Sequence, residues 1–157
     1  MILKCLSGCG LQVSNRTIRV AAVFSGGSMK REKEINIMME AKDMAIELAK
    51  ALDSKKGEDI QVLRTGDLTT LAEYFVICTA NSTTQIKALA DTCEKVLKEQ
   101  GEPPHHVEGH RGGTWVLMDF SVVVVHIFDD EARKFYDLER LWKDAEQVDL
   151  SGVLLPN

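Results

Sequence analysis

The stretch that most constrains this chain is residues 114–142. Trp115 to Phe120 and Val122 to Phe128 are two dense apolar runs, with only Ser121 and Val122 available to turn the chain between them. An amphipathic segment, Asp129 to Trp142, follows at once. Six of the nine aromatic residues lie between Trp115 and Trp142, so this block supplies the centre of a sheet and the helix that leaves it. It also holds polar groups that a core does not require, namely Asp119, His126, Asp129 and Asp130. Their purpose is the functional question.

The rest of the chain reads as elements around that centre. Ile37, Ala41, Met44, Ala45, Leu48 and Leu52 recur at helical spacing, which predicts a helix over roughly 36–54 with Gly57 as its stop. Strands follow over about 59–64 and 74–79. The second, Tyr-Phe-Val-Ile-Cys-Thr, is apolar enough to be buried on both faces. Asn81-Ser82 caps a helix from Thr83 to about Gln100, which Gly101 and Pro103-Pro104 end. Residues 105–110 are extended, and the strand–helix–strand spacing predicts that they pair parallel to 74–79. Strands at 114–120 and about 122–128 and a helix from Asp130 to Trp142 complete the order, with Phe135, Leu138, Leu141 and Trp142 as its packed face. The expected class is α/β (α+β mixed): one mixed sheet of about five strands with flanking helices.

The domain limits are expected at 29–143, with 144–157 as a tail whose Leu150, Val153, Leu154 and Leu155 could dock as a short add-on. Residues 1–28 show little periodicity and end in Ser25-Gly26-Gly27-Ser28, a flexible-linker composition before Met29. They read as a disordered leader or a misassigned start. Leu6-Ser7-Gly8-Cys9 matches a lipoprotein cleavage box by letter but lacks the apolar stretch that should precede it. Residues 29–157 carry 16 basic and 24 acidic groups, a balance of −8 that disfavours direct gripping of nucleic acid and suits a basic partner. The longest apolar runs are too short to cross a bilayer. Cys5, Cys9, Cys78 and Cys93 form no metal or disulfide pattern and fit a reducing cytosol.

Three chemistries deserve weighing. His106, Glu108 and His110 would share one face of a strand and could bind zinc. The neighbouring glycines make solvated side chains on a turn rim the simpler reading. Asp119 with Asp129 or Asp130 could form the carboxylate pair of a metal-dependent nucleotide-transfer site, since they end adjacent strands. A glycine-rich phosphate cradle is missing, and Asn81-Ser82 does not supply one. His126 reads as a core histidine paired with Asp119, because an unpartnered buried imidazole is costly and no Ser or Cys nucleophile stands beside it.

Taken together, Gly57-Glu58-Asp59-Ile60, Tyr74 to Ser82, Val107-Glu108-Gly109, Trp115 to Phe120, Val124 to Phe128 and Phe135 to Trp142 resemble the ribosomal silencing factor (Iojap-related) family in order and spacing. The resemblance covers residues 36–143. It implies a minimal nucleotidyltransferase-like fold without catalytic apparatus, hence no enzyme, cofactor or metal. It implies a cytoplasmic regulator that binds the large ribosomal subunit through its protein L-fourteen, obstructs subunit joining and represses translation when nutrients are short. It further implies a homodimer when free and no membrane or sequence-specific nucleic-acid contact. A large-subunit assembly factor is the alternative. This chain has Ser121-Val122 where the family usually has Gly-Asp, and 1–28 has no family counterpart. The docking face expected from the resemblance comprises Glu108, Trp115, Leu117, Asp119, His126, Phe128, Tyr136 and Glu139. If translation starts near Met29, mass spectrometry of the native protein will find no peptides from residues 5–25.

Overall fold

The computed structural model describes residues 39–154, together with the backbone of three short strands at 11–14, 17–20 and 33–36. Those strands, β1 (Leu11–Ser14), β2 (Thr17–Val20) and β3 (Lys33–Asn36), form an antiparallel sheet within a first unit, Met1–Met39. Asn36, expected to begin a helix, therefore ends a strand, and Ile37 lies outside the described residues.

The second unit, Glu40–Asn157, holds the main sheet. Helix α1 (Ala41–Ser54) buries Met44, Ala45, Leu48 and Leu52, as the periodicity predicts. Gly57 closes it by donating its N–H to the Leu52 carbonyl at 3.0 Å. Strands β4 (Glu58–Arg64) and β5 (Tyr74–Ala80) follow, then helix α2 (Thr83–Glu99), whose Ser82 hydroxyl accepts the Gln85 N–H at 3.2 Å. The chain continues through β6 (His106–Glu108), β7 (Trp115–Asp119), β8 (Val123–Asp129), the short helices α3 (Asp130–Tyr136) and α4 (Leu138–Leu141), and β9 (Glu146–Gln147).

The six strands lie in the order β6-β7-β8-β5-β4-β9. Only β5 and β8 run parallel, registered from Tyr74 opposite Val123 to Ala80 opposite Asp129. The parallel partner of β5 is thus β8, not residues 105–110 as expected. The cause lies in composition. Val123–Asp129 is buried along nearly all its length and takes the centre, whereas polar His106–Glu108 goes to the edge. The sixth strand comes from the tail, where Glu146 and Gln147 pair with Arg64 and Leu63.

Alternation divides the sheet. Val76, Cys78, Val116, Met118, Val125 and Ile127 form a buried layer on the side packed by α1 and α2. Phe75, Ile77, Trp115, Leu117, Val124, His126 and Phe128 lie on the other side, which α3 and α4 cover only in part.

Two turns hold β7 in place. Ser121 sits at φ 73, with its N–H on the Asp119 carboxylate at 2.7 Å. A left-handed L-residue costs about 1–2 kcal/mol, and glycine returns about 0.5–1 of that as unfolded-state entropy. Gly109 has φ +80, and a Cβ there would lie 2.0 Å from the Trp115 carbonyl oxygen. Urea melts should show Ser121→Gly gaining up to about 1 kcal/mol, and Gly109→Ala losing at least about 3 kcal/mol.

Candidate docking face

Five rings from four elements build the site. The β7–β8 register sets Trp115 beside Phe128, and Leu117 beside His126. The Trp115 ring stacks on Phe128 at 5.4 Å and on His126 at 5.9 Å, and Tyr136 from α3 closes over it at 4.7 Å. Phe75 meets the His126 ring edge-on at 5.5 Å. Such ring pairs add about 0.5–1.5 kcal/mol each beyond their buried area. The Trp115 indole N–H donates to His126 Nδ1 at 3.3 Å, so the imidazole accepts there and is neutral. Burial pushes its pKa down from 6.5 to about 4.

The expected Asp119–His126 pair does not form. Asp119 is registered opposite Val124, two positions along from His126, and its carboxylate is used by the Ser121 turn. The carboxylate pair fails for a related reason. β7 and β8 are antiparallel, so Asp119 and Asp129 stand at opposite ends of the sheet. Asp129 instead caps α3, accepting the Ala132 N–H at 2.7 Å. The histidines part company too. His106 Nε2 lies 2.8 Å from Glu108, while His110 Nε2 lies 3.0 Å from Asp91 on α2. Among the described residues no group of three His, Cys, Asp or Glu could hold a metal ion. Cys78 and Cys93 are buried free thiols, with burial pushing Cys78 up to about 12 and Cys93 higher, so neither supplies a thiolate nucleophile.

The last helix departs most from expectation. It is two helices, broken at Asp137, whose φ 43 and ψ 56 are left-handed. The break changes the helical phase. Leu138 and Trp142 pack on the cluster of Leu63, Ala72, Phe75, Ile77 and Phe128, with Trp142 edge-on to Phe75 at 5.2 Å. Phe135 and Leu141, expected on that packed face, are 81% and 68% exposed. They sit with half-exposed Tyr136 in one shallow concavity rimmed by Lys134, Asp137 and Arg140.

The predicted face thus separates into parts. Glu108 and Tyr136 are exposed, and Trp115, Leu117 and Asp119 are half-buried. His126 and Phe128 are buried under Trp115, so they support the face instead of reaching a partner. Glu139 is held by Arg133, whose Nε donates to it at 2.8 Å. Phe135, Leu141 and Arg133 were absent from the predicted set. A helical reading of Asp130–Trp142 hides them, and a mid-segment aspartate, a weak helix former that tolerates left-handed backbone, is the one local sign of the break.

A mixed sheet with one helix-covered face and one aromatic, partly open face makes this a small α/β domain. Residues 38–156 match the model of the family described as "Ribosomal silencing factor during starvation". The chain belongs to the ribosomal silencing factor family. It is 41% identical over 104 residues to the ribosomal silencing factor of Halalkalibacterium halodurans, covering 66% of this chain and 89% of that protein. A crystal structure of a Chromobacterium violaceum protein superposes with a TM-score of 0.66 at 40% identity, covering 67% of this chain and 88% of that one. A mouse protein named for mitochondrial assembly of the ribosomal large subunit is 31% identical over 121 residues, covering 73% of this chain and 52% of that protein.

His126 makes the stack sensitive to acid. It titrates near 4 when folded against 6.5 for the free group, so between those values the unfolded chain binds the extra proton. Its contribution is complete above about pH 6.5 and declines as pH falls toward 4, by up to about 3 kcal/mol. Melts from pH 7 to 4 should show this slope, and His126→Gln should flatten it.

Proposed function

We propose that this chain binds the large ribosomal subunit through its protein L-fourteen, blocks joining of the small subunit and so lowers protein synthesis when nutrients are short. The observation that carries the reading is the exposed patch of Phe135, Tyr136 and Leu141 beside half-buried Trp115, on a domain of the silencing-factor family. Aromatic anchors next to a supported platform are what binding hot spots use. The excess of acidic groups over residues 29–157, 24 against 16, favours a basic protein partner and speeds encounter with it. Obstruction needs no reaction, only an interface of roughly 800 Å² per partner. The protein works in the cytoplasm as a regulator and not as an enzyme, and it forms a homodimer when free.

The name of the mouse relative favours a second reading, assembly of the large subunit without a block on joining. One experiment separates the two. Purified chain is added to large and small subunits, and joined ribosomes are measured on gradients together with chain bound to large subunits. Silencing requires binding with fewer joined ribosomes. Binding with joining intact supports the assembly role, and absence of binding refutes both. Phe135→Ala with Leu141→Ala should weaken binding by about tenfold or more, while the melting temperature stays at the parent value because both side chains are exposed.

A further inference from the structure

We infer that Arg133 and Glu139 form a positioning device that sets the angle of the α3–α4 elbow and so presents the docking patch. This rests on the docking reading above. The starting point is how little apolar burial holds the elbow. Helix α3 has seven residues and buries only Arg133, while α4 has four and buries none. Helices this short do not persist on backbone propensity. Ala132, Leu138 and Trp142 pack on the core cluster, Tyr136 leans on Trp115, and Asp129 caps the start. These contacts seat the two ends of the elbow, and the side-chain tie across Asp137 is the Arg133–Glu139 pair.

Arg133 has the contacts to anchor that tie. The residue is 9% exposed, and each guanidinium nitrogen has a partner. Nη1 donates to the Asp59 carbonyl at 2.7 Å and to the Thr79 hydroxyl at 2.7 Å. Nη2 pairs with the Asp59 carboxylate at 3.0 Å and with Glu139, which Nε also reaches. A buried cation is costly unless its donors are satisfied, and a planar fork is satisfied in only one orientation. One side chain thereby ties α3 to the start of β4, to the end of β5 and to α4.

The tie to Glu139 spans the left-handed residue Asp137. A non-glycine residue keeps such backbone only where its surroundings impose it. Here the backbone contributes Asp137 N–H to the Arg133 carbonyl at 2.9 Å, and Arg140 N–H to the Asp137 carbonyl at 3.1 Å. The Arg133–Glu139 pair adds a side-chain tie across the break. Phe135 and Tyr136 stand before the break and Leu141 after it, so the angle at Asp137 sets their separation. Glu139, expected to touch the partner, acts instead through the elbow.

The test uses the full chain with Glu139→Gln, Phe135→Ala, the double variant and Asp137→Gly. Affinity for purified large subunits is measured beside hydrogen exchange of the free protein. Glu139→Gln should weaken binding about tenfold, within the range for residues sharing one network. It should speed exchange over 138–142 while the sheet stays protected. Adding Phe135→Ala should then cost less than it does in the parent. Asp137→Gly relieves the left-handed strain, so its melting temperature should hold or rise while affinity falls. A merely structural role would move both together, and that result overturns the proposal. Full additivity of Glu139→Gln and Phe135→Ala overturns it too, because Glu139 would then touch the partner directly. Unchanged exchange over 138–142 also overturns it, whatever the ribosome does. A parent chain that fails to bind large subunits refutes the docking reading instead, and the exchange result still decides whether the pair holds the elbow.

Discussion

The parallel pairing of β5 with β8 is the constraint on which the remaining architecture depends. Two strands buried along almost their whole length lie side by side. Neighbouring parallel strands cannot be joined by a tight turn, so the chain must travel between their ends. Here it does so through α2 and then the β6–β7 hairpin. The hairpin falls on the β8 side, β4 falls on the β5 side, and α3 emerges where both central strands end. Each ring of the docking face is placed by this arrangement. Phe75 comes from β5, His126 and Phe128 from β8, Trp115 from the strand next to it and Tyr136 from the helix that follows.

Much of this was legible in the sequence, for identifiable reasons. Val76–Cys78 and Val123–Val125 announce buried strands because few other environments accept such runs. Ser82, Gly57 and Gly101 mark helix ends through local chemistry that tertiary packing seldom overrides. Pairing was less legible. Spacing alone suggested that residues 105–110 follow β5 in space, and nothing local says that a polar strand will yield the centre to an apolar one further along. The candidate site was legible in part. Trp115, Tyr136, His126 and Phe128 followed from the motif block as expected partner contacts, although His126 and Phe128 lie buried beneath Trp115. The break at Asp137 did not, because helical spacing through Phe135, Leu138, Leu141 and Trp142 is consistent with one packed face until a single left-handed residue changes its phase.

The two faces of the sheet have different physical tasks. The face under α1 and α2 is filled by aliphatic side chains and sulfur and excludes water. The other carries rings, one neutral imidazole and, at one end, a saturated guanidinium. Aliphatic packing sets stability, while the rings and the guanidinium hold exposed side chains in defined places. Exposed aromatics such as Phe135 cost little in the folded monomer, yet they contribute to binding only if their direction is settled before the partner arrives.

The ends of the sheet carry a further consequence. An unpaired strand edge is a template on which other chains can add, up to fibril formation. Here β4 has a register irregularity between Glu58 and Gln61, and β9 pairs with it at Leu63 and Arg64. The opposite edge, β6, is only three residues long and carries exposed His106 and Glu108 just after Pro103-Pro104. Backbone-to-backbone growth is therefore discouraged on both flanks. On the docking reading proposed above, recognition falls to side chains of the open face, and the backbone ladder stays out of the encounter.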